Sequence, residues 1–142
     1  RGGGPVGDLF ELLRDLPPEL TGCQYDVRHA MVEGANAWIV GMRLIAPYIK
    51  TLAIKDFTWV TTTGKPRAVT VPMGAGLVNW DLFFKTVKEL NISGPMTLHV
   101  EYPLLEKDEN MLPLTRQKEI IVGKLKKDVE FLNRKMSEFQ LS

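Results

Sequence analysis

The sequence predicts an α/β domain built on a parallel sheet. Two observations carry that expectation: apolar residues recur at three- and four-residue steps in segments separated by short strand-type runs, and the order reads helix, strand, helix, strand, hairpin, helix, strand, helix. Strands that alternate with helices leave the connections long enough for parallel pairing.

The elements follow in order. Val6, Leu9, Phe10 and Leu13 fall on one helical face, and Pro17 and Pro18 stop that helix. Thr21 to Asp26 is a short strand candidate. Glu33 to Ile49 carries Trp38, Ile39, Met42 and Ile45 at helical spacing, with Pro47 ending or bending the last turn. Lys50 to Phe57 is a second strand. Thr58-Trp59-Val60, the turn Thr61 to Lys65 with Gly64, and Arg67 to Val71 read as an inserted β-hairpin. Trp80, Phe83, Phe84, Val87 and Leu90 mark an amphipathic helix with Asn79 as its N-cap. Pro95 to Tyr102 is a third strand. After a loop around Pro103 to Pro113, Ile121, Leu125, Val129, Leu132, Met136 and Phe139 lie on one stripe of a long terminal helix; a coiled-coil seam is the alternative use of that stripe.

Composition excludes several function classes. The 142 residues fit one domain, spanning 1–142. Lys and Arg total 18 against 17 Asp and Glu, a net charge of +1, so neither nucleic acid nor an anionic membrane is an expected partner. The run Lys124, Lys126, Lys127 is interleaved with Asp128 and Glu130 and reads as a solvated helix face. The single cysteine, Cys23, rules out an internal disulfide and a multi-cysteine metal site, and its apolar surroundings favour a buried inert thiol. No apolar run approaches the ~20 residues needed to span a bilayer. Arg1-Gly2-Gly3-Gly4-Pro5 holds no initiator Met and no signal core, and reads as an interior slice of a longer chain. It assigns no compartment, and the cytoplasm is the default expectation.

Strand periodicity then places the polar residues. Met96, Leu98 and Val100 alternate with Thr97, His99 and Glu101, so one set packs under the helices and the other faces away. Leu52 and Ile54 alternate with Ala53 and Lys55 in the same way, and Gln24 and Asp26 share a face. Asp26, Lys55, His99 and Glu101 are therefore expected together near strand C-terminal ends, opposite the helices. The competing expectation is four separate polar residues in solvated loops.

With these residues assembled, a resemblance can be named. Tyr25-Asp26-Val27-Arg28-His29-Ala30 followed by Val32-Glu33-Gly34 resembles the D-x-x-H signature on strand six of the xylose-isomerase-like barrel superfamily, the sugar phosphate isomerase/epimerase family. Ala53-Ile54-Lys55-Asp56-Phe57 is similar to its strand-seven segment, Pro72-Met73-Gly74-Ala75-Gly76 to the Gly-rich loop that follows, and Thr97-Leu98-His99-Val100-Glu101-Tyr102 to strand eight. The segments occur in family order over nearly the whole chain. The resemblance implies the C-terminal part of a (β/α)8 barrel: about three parallel strands with packed helices and a hairpin inserted after the second. A complete barrel needs about 250 residues. A missing N-terminal barrel segment, or self-association through open sheet edges, is therefore an expected partner.

The resemblance also implies chemistry. It gives Asp26 and Glu101 as ligands of a divalent cation, Mn2+ or Mg2+, which suits carboxylate donors. Glu101 would double as the group that moves a proton next to a carbonyl, with His29 near the substrate or behind a ligand. Lys55 could hold a sugar oxygen or phosphate, or be a solvated loop lysine or pair with a carboxylate; His99 could bond a substrate hydroxyl, or be a satisfied buried histidine. Two departures stand out. Ala53 occupies the position of the family's strand-seven histidine ligand, and the strand-four glutamate would lie upstream of residue 1. Two carboxylates make a weak site, so little metal affinity and no turnover are expected of this chain alone. The expected ligand is a small sugar or sugar phosphate, acted on by an isomerase or epimerase. The alternatives are an inosose-dehydratase-like enzyme, or a non-catalytic carbohydrate-binding barrel, which Ala53 favours.

Among the remaining candidates, Asp56 is out of phase with Lys55 and is expected to order the following loop. Glu33 is expected to cap the next helix, with lining the mouth of the site as its other use. Gly74 and Gly76 suit a plain turn before the Asn79 helix, with close approach to a phosphate as the other use. Trp38, Trp59 and Trp80 read as packing groups, with Trp59 the one placed to touch a ligand.

Overall fold

The computed structural model describes residues 5–141. Arg1 to Gly4, read above as an interior slice, and Ser142 lie outside the described residues.

Three strands form a parallel sheet in the order β1 (Cys23–Asp26), β2 (Ile49–Ile54), β5 (Met96–Leu98). β3 (Asp56–Thr62) and β4 (Lys65–Val71) form the separate antiparallel hairpin that the sequence announces. Its two-residue turn places Thr63 at φ 51° and Gly64 at φ 76°, the left-handed pair that matches strand twist. Among the described residues, β1 and β5 each keep one unpaired side.

The helices are α1 (Val6–Leu13), α2 (Val27–Gly34), α3 (Trp38–Leu44), α4 (Trp80–Glu89) and α5 (Leu114–Glu138). α4 begins as expected, with the Asn79 side chain accepting from the Leu82 N–H at 3.0 Å. The stretch before β2 differs from expectation. Instead of one helix from Glu33, the chain turns helical directly after β1, where the Asp26 side chain accepts from the His29 N–H at 3.1 Å. α2 then ends at Ala35, whose φ of 45° no right-handed helix tolerates, and a 3-10 turn leads into α3. Glu33 therefore sits exposed in the last turn of α2, and the caps of the next turn and of α3 are made without it. At Pro47 the chain passes through a 3-10 turn, Ala46–Tyr48, as the proline dictates.

The third strand is shorter than expected. Only Met96 to Leu98 pair with β2, and one more bond, His99 N–H to the Ile54 carbonyl at 2.9 Å, extends the ladder. β2 ends there because the chain leaves into the hairpin, so residues 100–102 have no strand to pair with. Met96 and Leu98 pack against the core as the periodicity requires, while Val100 lies half-buried beyond the ladder.

The core lies on the helix side of the sheet. Leu52 and Ile54 are fully buried against Met42, Phe83, Phe84 and Val87. Trp38, Phe83, Trp80 and Phe84 stack edge-on or tilted at 5.3–6.2 Å, so Trp38 and Trp80 are packing groups. Trp59 is 46% exposed on the hairpin, edge-on to Phe57 at 6.0 Å. α5 packs on α4 within the chain, though not by all of the expected stripe: Phe131 meets Trp80, Leu132 is buried and Phe139, just past the helix, stacks on Phe84, while Val129 is 45% exposed. The solvated-face expectation for its charge run fails at one position. Asp128 is 2% exposed, accepting from the Met73 N–H at 3.0 Å and from the Tyr102 hydroxyl at 2.7 Å.

Candidate active site

Sheet register decides which side chains share a layer. Asp26 pairs with Ala53, and Ala53 with Thr97, so these three form one row. Ile54 pairs with Leu98, which puts Lys55 and His99 in the next row, one step nearer the strand C-terminal ends. Glu101 follows two residues on. The four polar residues that alternate with the core set thus converge at one rim.

The contacts among them are direct. Lys55 Nζ lies 2.9 Å from Asp26 Oδ2 and 3.0 and 3.1 Å from the two Glu101 carboxylate oxygens. The lysine is 4% exposed, so its charge stays buried only because two carboxylates meet it. Asp26 divides its labour: Oδ1 caps α2, and Oδ2 takes the ammonium. His29 Nε2 stands 3.6 Å from Asp26 Oδ2, and His99 Nδ1 stands 3.6 Å from Glu101 Oε1. Each carboxylate therefore has an imidazole nearby.

The ammonium also sets the acidity of Glu101. The hydrogen bond from Lys55 holds this carboxyl below the usual glutamate range; partial burial opposes the shift, and the charges of Lys55, Arg28 and His99 reinforce it. Arg28 is the residue that sequence reasoning passed over. It lies inside the D-x-x-H segment, yet no role follows from the motif. Its guanidinium donates to the Ala68 carbonyl at 3.3 Å, tying the hairpin to the first turn of α2, and its Nε is buried with no partner among the described residues. The signal was there to find: a cation two residues after Asp26, in the turn beside two carboxylates.

Asp56 orders the loop after the hairpin, as its opposite phase suggests. Fully buried, it accepts from the backbone N–H of Phe57, Gly74, Gly76 and Val78 and from Trp80 Nε1, all within 2.8–3.2 Å. A side chain at Gly76 would collide with the Asp56 carboxylate and the Phe57 carbonyl. The Gly74 and Gly76 N–H groups are thus spent on Asp56 and serve a turn. Cys23 is half-buried, and burial pushes its thiol up, away from the reactive thiolate.

A cavity of about 560 Å³ opens beside β1, lined by Leu9, Tyr25, Asp26, His29 and Glu33 among others. It reaches one flank of the charged cluster; Lys55, His99 and Glu101 lie outside its lining.

A family model described as xylose isomerase-like TIM barrel matches residues 3–127. This chain belongs to that family. Among solved structures, a xylose isomerase domain protein from Planctomyces limnophilus matches with a TM-score of 0.70 and 23% identity, over 99% of this chain and 46% of that one. The likeness shows the fold, and the chain spans less than half of that barrel protein's length. The three parallel strands, packed helices and hairpin are thus part of a xylose isomerase-like barrel, and the charged rim sits where such barrels place their chemistry. No curated protein matches. Among the described residues no helix is long and apolar enough to cross a membrane.

The cation that the resemblance implies needs donors. Among the described residues no group of three or more His, Cys, Asp or Glu side chains is arranged to hold a metal ion. Ala53, beside Asp26 in its row, supplies no donor, and the Lys55 ammonium fills the space between the two carboxylates. The residues present do not fit a divalent cation.

Proposed function

We propose that this chain supplies one side of the active site of a sugar or sugar phosphate isomerase or epimerase, which moves a proton next to a carbonyl. The observation that carries it is the Lys55 ammonium held at about 3 Å from both Asp26 and Glu101 at the strand C-terminal rim. An ammonium has three donors. Asp26 Oδ2 and the two Glu101 oxygens face all three, so a ligand oxygen gains a donor by displacing one Glu101 oxygen. Where that oxygen is a carbonyl, removing the neighbouring proton pushes negative charge onto it, and the ammonium faces that charge.

The step balances without an outside reagent. The Glu101 carboxylate takes the proton from the carbon beside the carbonyl, the C–H electron pair becomes the enediolate double bond, and the carbonyl oxygen becomes anionic. Glu101, now protonated, returns the proton to the neighbouring carbon for isomerisation; for epimerisation a second acid, from another part of the barrel, delivers a proton to the opposite face. In this reading His29, beside Asp26, carries the hydroxyl proton, and His99 holds a second hydroxyl. A ligand oxygen arriving at Lys55 weakens the bond to Glu101, which restores basicity to the carboxylate when it is needed.

A second reading is a carbohydrate-binding barrel without turnover, favoured by Ala53 and by the low basicity of Glu101 in the resting site. Incubating the whole protein with a panel of ketoses and ketose phosphates in D2O separates the two. Deuterium appearing at the carbon beside the carbonyl, slowed about 10²–10⁴-fold by Glu101→Gln, is the expected result. Ligand binding with no exchange would establish the binding reading instead.

A further inference from the structure

We infer that Lys55 is the resident cation of this rim, so that the site works without a divalent metal. The inference builds on the reading above for what the site does, but its geometry stands apart from turnover. Nζ makes three contacts of 2.9–3.1 Å to oxygens from two different elements, β1 and the segment after β5. It is reached from the single residue between β2 and the hairpin, where the backbone is fixed on both sides. Lys55 is 4% exposed, so the ammonium is held in place.

A divalent ion between Asp26 and Glu101 would need oxygens at about 2.1 Å and four or more further donors. It would also share its position with the buried Lys55 ammonium. The neighbouring row offers Ala53, 1% exposed and without a donor atom. A lysine ammonium can do what the Lewis acid would do for an anionic oxygen, as a compact charge that exchanges one Glu101 oxygen for the ligand's. The trade has a structural consequence. Removing the ammonium leaves the Asp26 and Glu101 carboxylates with no cation between them, so their charge would draw a hard cation such as Mn2+, though weakly for want of further donors.

The test is calorimetric titration of the whole protein with Mn2+ alone, for wild type, Lys55→Met and Lys55→Gln. Wild type is expected to take up no Mn2+ at this rim, and both variants to gain affinity by about tenfold or more. Adding Asp26→Asn to either variant should abolish the gain. Stoichiometric Mn2+ binding by wild type that Asp26→Asn removes would overturn the inference, and this arm holds even where a Lys55 variant fails to fold. Folded Lys55 variants that bind no more Mn2+ than wild type would overturn it as well. Deuterium exchange by the metal-depleted wild type is a separate result: exchange that requires Mn2+ defeats this inference and leaves the proton-transfer reading standing.

Discussion

At the scale of single residues, two buried charges behave in opposite ways. Lys55 and Asp56 are neighbours in sequence, and each is almost fully removed from water. Lys55 points to the rim, where its ammonium meets the Asp26 and Glu101 carboxylates. Asp56 points into the protein, and all of its hydrogen bonds close a loop. Asp56→Asn should therefore destabilise the protein by about 2–4 kcal/mol in urea unfolding, because an amide NH2 would face backbone N–H donors. Its effect on ligand affinity should follow from the looser hairpin and loop, with no change in the acidity of Glu101. The pairing of Lys55 with Asp26 and Glu101 was only half legible. Strand phase put all of them on one face, but phase cannot measure reach, so a sugar contact and an ion pair stayed equal until distances were known. Arg28 was missed because a helix starting directly after Asp26 was not anticipated.

At the scale of elements, periodicity served best where a segment is strongly amphipathic and bounded. α4 shows this: Trp80, Phe83, Phe84 and Val87 all point inward, and Asn79 caps as read. α2 was hidden because only Val27 and Ala30 are buried in it, while Arg28, His29 and Glu33 face the cavity, the rim or solvent. A helix that presents functional groups has little apolar signal left. The terminal helix was legible as a helix but not in its charges. Asp128 holds the loop at Met73 and the Tyr102 hydroxyl, so it anchors α5 to the segment that carries Glu101. Burial and then the bond to Asp128 push the Tyr102 hydroxyl above the usual tyrosine range. Asp128→Ala should cost about 1–3 kcal/mol, read from urea midpoints. It should also bring the Tyr102 phenolate midpoint down in an alkaline absorbance titration, though not to the free value, since burial remains. A midpoint that does not move would show that this bond does not form.

At the scale of the whole molecule, the sheet order β1-β2-β5 is what makes the site. Parallel strands bring their C-terminal ends to one rim, so residues 75 positions apart, Asp26 and Glu101, meet across one lysine side chain. The family resemblance gave this rim its chemistry, and the Lys55 bridge departs from the metal pair that the resemblance implies. The bridge also has a pH signature. Because the folded state holds the Glu101 carboxyl below its unfolded value, its stabilisation is fully present above the ordinary glutamate value and is lost as pH falls through the depressed one. Carbon-detected NMR titration of the Glu101 side-chain carboxyl, in the wild-type protein and in Lys55→Met, tests this most directly. A midpoint below the ordinary glutamate value of about 4.3 in wild type, moving upward in the variant, is the predicted result. An ordinary midpoint that is the same in both proteins would mean that Lys55 does not join the two carboxylates.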